Sequence, residues 1–315
     1  MRVREAGKVC EGLWLLGMAE SCVYLLQGNR GWMLISGGMA YIVPQVLEQM
    51  SRFGLEPEAV RSLLILHAHF DHVGIVPYFK RNWPEMEVLA SARAWELLRT
   101  PKVIQTINSF SRAVAERMGQ SEVFQRFDLD WAEDITGRAV GEGDCLDLGN
   151  IRVQILETPG HSSCSITAWV PELGALFASD GGGIPFKETV ITSGNSNYTQ
   201  FQRNLERLKE LPARYICADH YGYVCGEEAL GFMARAAEMA RRKRELMEEV
   251  YGRTLDIDEA ARELTRAFYE EHPDYLLTPE IFQGVFRQMV RRVAGEMSLS
   301  PPHPPGAGIA PRNQC

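Results

Sequence analysis

The sequence predicts an α/β layered fold with a helical C-terminal extension. Short apolar strands joined by turns fill its first half. The continuous apolar run Leu63-Leu64-Ile65-Leu66 reads as a strand buried on both faces. After Gly226 the composition turns to helix alone.

The elements follow in order. Trp14 to Met18, Val23 to Gln27 and Trp32 to Ile35 are apolar runs, the last two joined by a hairpin-type turn at Gly28-Asn29-Arg30-Gly31. Val43, Val46, Leu47 and Met50 fall at helical spacing, so a helix is expected over 43–53, with Pro44 tolerated in its first turn. The strand at 63–66 leads straight into His67-Ala68-His69-Phe70-Asp71-His72; a helix is expected from Val73 to Phe79 and a strand at Val88-Leu89-Ala90. Residues 91–127 are helical in composition with a break at Thr100-Pro101, and 141–149 are turn-rich. Strands are expected at Arg152 to Leu156, Thr167 to Val170, Ala175 to Ala178 and Tyr215 to Ala218, with an amphipathic helix at Tyr198 to Leu211.

In the last third, a helix from Glu227 to Tyr251 places Leu230, Met233, Ala237 and Ala240 on one face. Asp256 and Glu259 form a capping box, and Thr278-Pro279 an N-cap and N1 pair. The helix opened there carries Ile281, Phe282, Val285, Phe286, Met289, Val290 and Val293, an apolar face that must pack on something. The chain therefore divides into a catalytic domain (1–226), a helical extension docked on it (227–298) and a Pro-rich tail (299–315) expected to be disordered.

Composition narrows the functional classes. A net charge of -8 over 315 residues argues against general nucleic-acid binding, which needs a basic face. The cluster Arg241-Arg242-Lys243-Arg244 reads as a solvated helix face. No apolar run of membrane-spanning length and no secretory signal occurs. The seven cysteines are scattered without a C-x-x-C pair, which fits a reducing, cytoplasmic setting. The expected partner is a small-molecule ester or thioester, with a homodimer compatible.

Three histidines and one aspartate within six residues make a dense set of metal-ligating side chains. Burying so many titratable groups without an ion would be costly. Alternate residues of an extended segment point the same way, so His67 and His69 can share one ion. Asp71 and His72, beyond the turn, can face a second ion about 3.5–4 Å away. Further ligands are needed, and His161, Asp180 and His220 each stand just beyond an apolar run. His272 and His303 are assigned no role.

The H-x-H-x-D-H motif, the turn Thr158-Pro159-Gly160-His161, Asp180 and His220, in this order and spacing, resemble the metallo-β-lactamase superfamily over roughly residues 8 to 225. The resemblance implies an αββα sandwich. It also implies one metal held by His67, His69 and His161, a second held by Asp71, His72 and His220, and Asp180 bridging them. Three departures stand out. Ser36-Gly37-Gly38 replaces an Asp-x-Gly element whose carboxylate supports the site, Ser179 stands where glycine is common, and Asp219 precedes His220 where a Pro-Gly-His turn is common. Asp219 is either a partner of the ligands or a plain turn residue.

A water between two cations ionises near neutral pH, and a metal polarises a scissile carbonyl. The expected activity is therefore hydrolysis by a metal-bridging hydroxide, with Asp71 as the catalytic side chain that orients the nucleophile and accepts a proton. The motif holds no evident general acid, which favours a thiolate leaving group, since thiols ionise near pH 8.5. Within the superfamily, Ile35 to Gly38, His67 to Gly74 with Pro77-Tyr78, Val88 to Ser91 and Leu277 to Glu280 resemble the 2-aminobenzoylacetyl-CoA thioesterase group of quinolone-signal biosynthesis. That resemblance implies helices covering a closed pocket, and adds iron to the plausible metals. A nitrogen and oxygen ligand set suits two divalent ions of zinc, iron or manganese. A small acyl-CoA is the leading substrate expectation; lactones, glutathione thioesters, and a metal-bearing regulatory or interaction protein of little turnover are the alternatives. Phe70, Phe186, Tyr221, Phe282 and Phe286 are the expected pocket walls.

Overall fold

The computed structural model describes residues 1–299; the tail from 300 lies outside the described residues. Strand β1 (Arg2–Val3) is followed by β2 (Gly7–Cys10), β3 (Leu13–Met18), β4 (Ser21–Gly28), β5 (Gly31–Ile35), β6 (Val60–Leu64), β7 (Glu87–Ser91) and β8 (Arg138–Val140). The strands β2 to β8 form one mixed sheet in sequential order, antiparallel as far as β5 and parallel from β5 to β8. A second sheet takes β9 (Cys145–Asp147), β10 (Arg152–Glu157), β11 (Ile166–Val170), β12 (Ala175–Phe177), β15 (Tyr215–Cys217) and β16 (Tyr223–Cys225), and β1 pairs onto β16 at its edge. A separate ribbon joins β13 (Ile184–Phe186) to β14 (Thr189–Ile191).

The sheets stack face to face through one apolar layer. Tyr24, Leu26, Met33 and Leu64 of the first sheet meet Val153, Ile155, Ile166 and Phe177 of the second there. The alternate residues of β4, Val23 and Leu25, enter a different core beneath α1 (Val43–Arg52), α2 (Val76–Asn82), α3 (Ala92–Leu98) and α4 (Pro101–Arg117). A strand covered on both faces needs apolar residues at every position, which is why β4 does not alternate. A short helix α5 (Val123–Arg126) follows α4, while α6 (Tyr198–Leu208) and the start of α7 (Glu227–Thr254) cover the outer face of the second sheet. The result is helix, sheet, sheet, helix, as expected.

Three differences from the sequence reading have physical causes. Strand β6 ends at Leu64, not Leu66: the Ile65 amide still donates to the Leu89 carbonyl of β7 at 2.8 Å, but the chain bends at Leu66, whose carbonyl accepts from the Ile166 amide of the opposite sheet at 2.9 Å. The helix expected from Val73 begins at Val76, since Gly74 and Ile75 instead donate to the Gly38 and Gly37 carbonyls at 2.7 and 2.8 Å. Leu230 is 71% exposed; it lies in the first turn of α7, beside a surface groove at the edge of β16, while Met233, Ala237 and Ala240 are buried. Gly74 is a point of close approach: a Cβ there would lie 2.1 Å from the Ala40 nitrogen. Gly74→Ala is expected to destabilise the fold by about 2–3 kcal/mol, measured as a lower urea midpoint with unchanged slope.

The last helices are α8 (Ile257–Glu271), capped by Asp256 accepting from the Glu259 amide at 2.7 Å, and α9 (Pro279–Leu299). Phe282, Phe286, Met289, Val290 and Val293 of α9 pack with Met247, Val250, Leu264 and Phe268 of α7 and α8, and with Ile184, Phe186 and Ile191 of the ribbon. Burying each large side chain contributes about 1.5–3 kcal/mol, so this face anchors the extension to the core. Of the basic cluster expected to be a solvated face, Arg241 and Arg242 are exposed and pair with Glu238. Lys243 and Arg244 are instead half-buried, because they turn inward: Lys243 donates to the Thr192 carbonyl at 2.6 Å and Arg244 pairs with Glu296 at 2.7 Å. The cysteines among the described residues are unpaired. Among the described residues no helix is long and apolar enough to cross a membrane.

Candidate metal centre

The site lies where several strands end. His67 and His69 follow β6, and a single 3-10 turn, Phe70–His72, carries Asp71 and His72. His161 stands in the turn after β10, Asp180 in the 3-10 turn Ser179–Gly182 after β12, and His220 just past β15. Gly160 permits the tight turn before His161: its φ is +143°, and a Cβ would meet the Phe201 backbone at 2.5 Å.

These seven side chains converge. His67, His69 and His161 form one group, Asp71, His72 and His220 another, and His67, His72 and Asp180 a third between them, the ligand atoms of each lying within 4.8 Å of one another. His69 Nδ1 is 3.0 Å from His67 Nε2 and 3.2 Å from His161 Nε2. Asp180 reaches His72 and His161 Nε2 at 3.5 Å and His220 Nε2 at 3.6 Å, and Asp71 lies 3.5 and 3.6 Å from the same atoms of His72 and His220. Ligands bound tetrahedrally at about 2.0–2.2 Å stand about 3.3–3.6 Å apart, so most of these spacings suit groups facing a shared ion. The histidine pair at 3.0 Å is somewhat closer. His72 Nε2 and Asp180 Oδ1 are buried with no hydrogen-bond partner among the described residues, and buried polar atoms are seldom left so. The donor set fits a pair of divalent ions.

The outward nitrogens are held. His72 Nδ1 lies 2.8 Å from Asp219 Oδ2, His161 Nδ1 lies 2.9 Å from the Ser193 carbonyl, and His220 Nδ1 lies 2.6 Å from the Glu20 carbonyl. Such contacts fix the tautomer and leave Nε2 free for a metal. His69 is turned the other way, presenting Nδ1 to its neighbours.

The two halves differ electrostatically. Burial, reinforced by neighbouring imidazoles, pushes the His67 pKa well below the ordinary histidine value; burial also lowers His161 and takes His69 to about 4. These three are neutral at physiological pH. Burial acts the same way on His72 and His220, but Asp71 and Asp180 outweigh it and raise both. Burial likewise opposes ionisation of Asp71 and Asp180, yet the facing histidines hold both carboxyls below the usual carboxylate range.

A cavity of about 420 Å³ opens above this cluster. His69, Asp71, His161 and Asp180 line its base, α4 contributes Val103, Ile107 and Phe110, and α9 contributes Ile281, Phe282 and Val285. Of the expected walls, Phe70 and Phe282 line it. Phe186 and Tyr221 stand behind Tyr275, with Phe186 5.3 Å from that ring and 5.0 Å from Tyr221, and Phe286 faces a different cleft beside Lys243. Sequence reasoning missed Tyr275 and Asn195. Tyr275 lines the cavity, and its hydroxyl is raised well above the tyrosine value by burial and by the charge of Asp180. Asn195 lines it too, and its Oδ1 is buried without a hydrogen-bond partner among the described residues. Both lie in loops, where periodicity carries no signal.

Residues 20–220 match the profile described as the metallo-beta-lactamase superfamily. The chain belongs to this superfamily. Among its relatives, a hydroxyacylglutathione hydrolase from Xylella fastidiosa (strain M12) is 28% identical over 204 residues, 61% of this chain and 59% of its own. The chain thus spans about three fifths of that relative's length. A hydroxyacylglutathione hydrolase from Xanthomonas euvesicatoria pv. vesicatoria (strain 85-10) is 27% identical over 86% of this chain and 89% of its own. A crystal structure of a metallo-beta-lactamase family protein from Thermus thermophilus superposes with a TM-score of 0.66 at 19% identity, covering 92% of this chain and 95% of the other, which speaks to the fold alone.

Proposed function

We propose that this metallo-beta-lactamase superfamily member is a two-metal hydrolase of a small acyl-CoA or similar thioester. The observation that carries the reading is the cavity, whose base is the histidine and carboxylate cluster and whose walls are largely apolar side chains of α4 and α9. His67, His69 and His161 would hold one ion, Asp71, His72 and His220 the other, and Asp180 would touch both. Bound ions would supply an ionised water at neutral pH and polarise the scissile carbonyl. Asp71 faces the same space and can orient the nucleophile and take its proton. The Tyr275 hydroxyl stays protonated beside the carboxylates and can donate a hydrogen bond to the substrate; the free carboxamide oxygen of Asn195 can accept one. An apolar acyl group fits between α4 and α9, so residues 227–298 would select the acyl group while 1–226 perform the chemistry. A thiolate departs without an acid.

The hydroxyacylglutathione hydrolases among the relatives favour a second reading, a glutathione thioester. Both carriers are anionic, glutathione through carboxylates and coenzyme A through phosphates, and Lys102 is the one Lys or Arg among the described residues that line the space. The preference for an acyl-CoA therefore rests on the apolar walls from α4 and α9, which suit an apolar acyl group. Elemental analysis of the purified protein, followed by assays with acyl-CoA, S-acylglutathione, lactone and phosphodiester substrates, tests the proposal. We expect about two ions of zinc, iron or manganese per chain and at least about tenfold higher kcat/KM for acyl-CoA, a difference of about 1.4 kcal/mol in transition-state binding. A metal-loaded protein that turns over no thioester overturns it.

A further inference from the structure

The departures at Ser179 and Asp219 meet at one point in the structure. Asp219 is 2% exposed, and its Oδ2 lies 2.8 Å from His72 Nδ1. The Ser179 hydroxyl donates to the same oxygen. That hydroxyl also stands 3.2 Å from His67 Nδ1 and 3.4 Å from His72 Nδ1. Ser36, where the superfamily pattern has a carboxylate, lies beside the same histidine through the backbone: the next amide, Gly37, donates to the His72 carbonyl at 2.9 Å.

We propose that Asp219 is the positioning residue that holds His72 as a metal ligand, with Ser179 linking it to His67, so that the supporting carboxylate of this site comes from the end of β15 and not from the end of β5. The inference rests on the reading of His72 as a ligand. Three further observations support it. The backbone delivering Asp219 is clamped: its carbonyl accepts from the Cys22 amide at 2.7 Å, and Tyr221 two residues on donates to the Ala19 carbonyl at 2.5 Å. Ser179 keeps a left-handed φ of 49°, a conformation that glycine would adopt without strain. What the serine adds over glycine there is the hydroxyl that bonds Asp219. Asp219 Oδ1 is buried and has no hydrogen-bond partner among the described residues, a costly arrangement for a carboxylate. Accepting the His72 Nδ1 proton fixes the ring so that Nε2 faces Asp71 and Asp180 with its lone pair.

The test uses the full chain loaded with zinc and titrated against a competing chelator, with ions per chain counted and apo-protein melting as a control on folding. Asp219→Asn should weaken one of the two ions by about 10–100-fold and leave the other less affected. Adding Ser36→Asp to that variant should recover affinity. Two ions retained at wild-type affinity in Asp219→Asn overturn the proposal, as does equal weakening of both. Should Asp219→Asn fail to fold, Ser179→Ala removes only the hydroxyl link: weaker zinc binding in it supports the network and unchanged binding overturns it. An unaltered chain that binds no zinc, iron or manganese would overturn the metal-site reading instead.

Discussion

Asp180→Ala is expected to empty both metal positions and lower thioester hydrolysis by on the order of 10⁴-fold, since on the proposed reading bound ions would supply both nucleophile and electrophile. Asp180 is the side chain that touches both groups, within 3.6 Å of His72, His161 and His220. Its loss also removes the negative charge that faces three imidazoles. The fold should persist, because the carboxylate sits at a strand end and not in the apolar layer between the sheets. Elemental analysis, circular dichroism and a thioester assay on one preparation check all three statements. A variant holding two ions at full activity would remove Asp180 from the site.

The second large effect is a separation of the two ions by acid. In the metal-free protein, Asp71 and Asp180 raise His72 and His220, so each holds its proton to a higher pH than an ordinary histidine. A metal entering there must displace those protons, and its affinity falls as pH falls. His67, His69 and His161 are shifted the opposite way and remain neutral in mild acid, with His69 at about 4. Dialysis from about pH 7.5 towards about pH 5, below the ordinary histidine range, should therefore release the ion of Asp71, His72 and His220 first, leaving about one per chain. Simultaneous loss of both would mean that Asp180 couples them more strongly than their separate surroundings distinguish them.

Much of this was legible in the sequence, for identifiable reasons. The strands β3, β4, β5, β7, β10, β11, β12 and β15 were visible because their apolar runs are bounded by turns, and α8 and α9 because Asp256 and Thr278-Pro279 mark their starts. The edge strands β1 and β2, the ribbon of β13 and β14, and β8, β9 and β16 were not. They are short or interrupted, and pairing partners distant in the chain specify them, as Arg2 with Val224 shows. The seven clustered side chains were readable because each follows closely on an apolar run. Their supports were not: the Glu20 and Ser193 carbonyls are backbone atoms that any residue could supply. Asp219 stood out only as an acid beside His220, and nothing in the order of residues says that it faces His72.

The division of the cluster between the two sheets has a thermodynamic consequence. His67, His69, Asp71 and His72 belong to the first sheet, and His161, Asp180 and His220 to the second. An ion bound by this set can be bound only when the halves are assembled, so its binding free energy is assembly free energy. At a free-metal concentration about one hundred times the dissociation constant, that linkage amounts to about 2.7 kcal/mol, a sizeable share of the stability of an ordinary domain. The durability of this protein in a cell would then follow metal supply as well as sequence, and starvation for the ion would loosen the sandwich at the same time as it silenced the site.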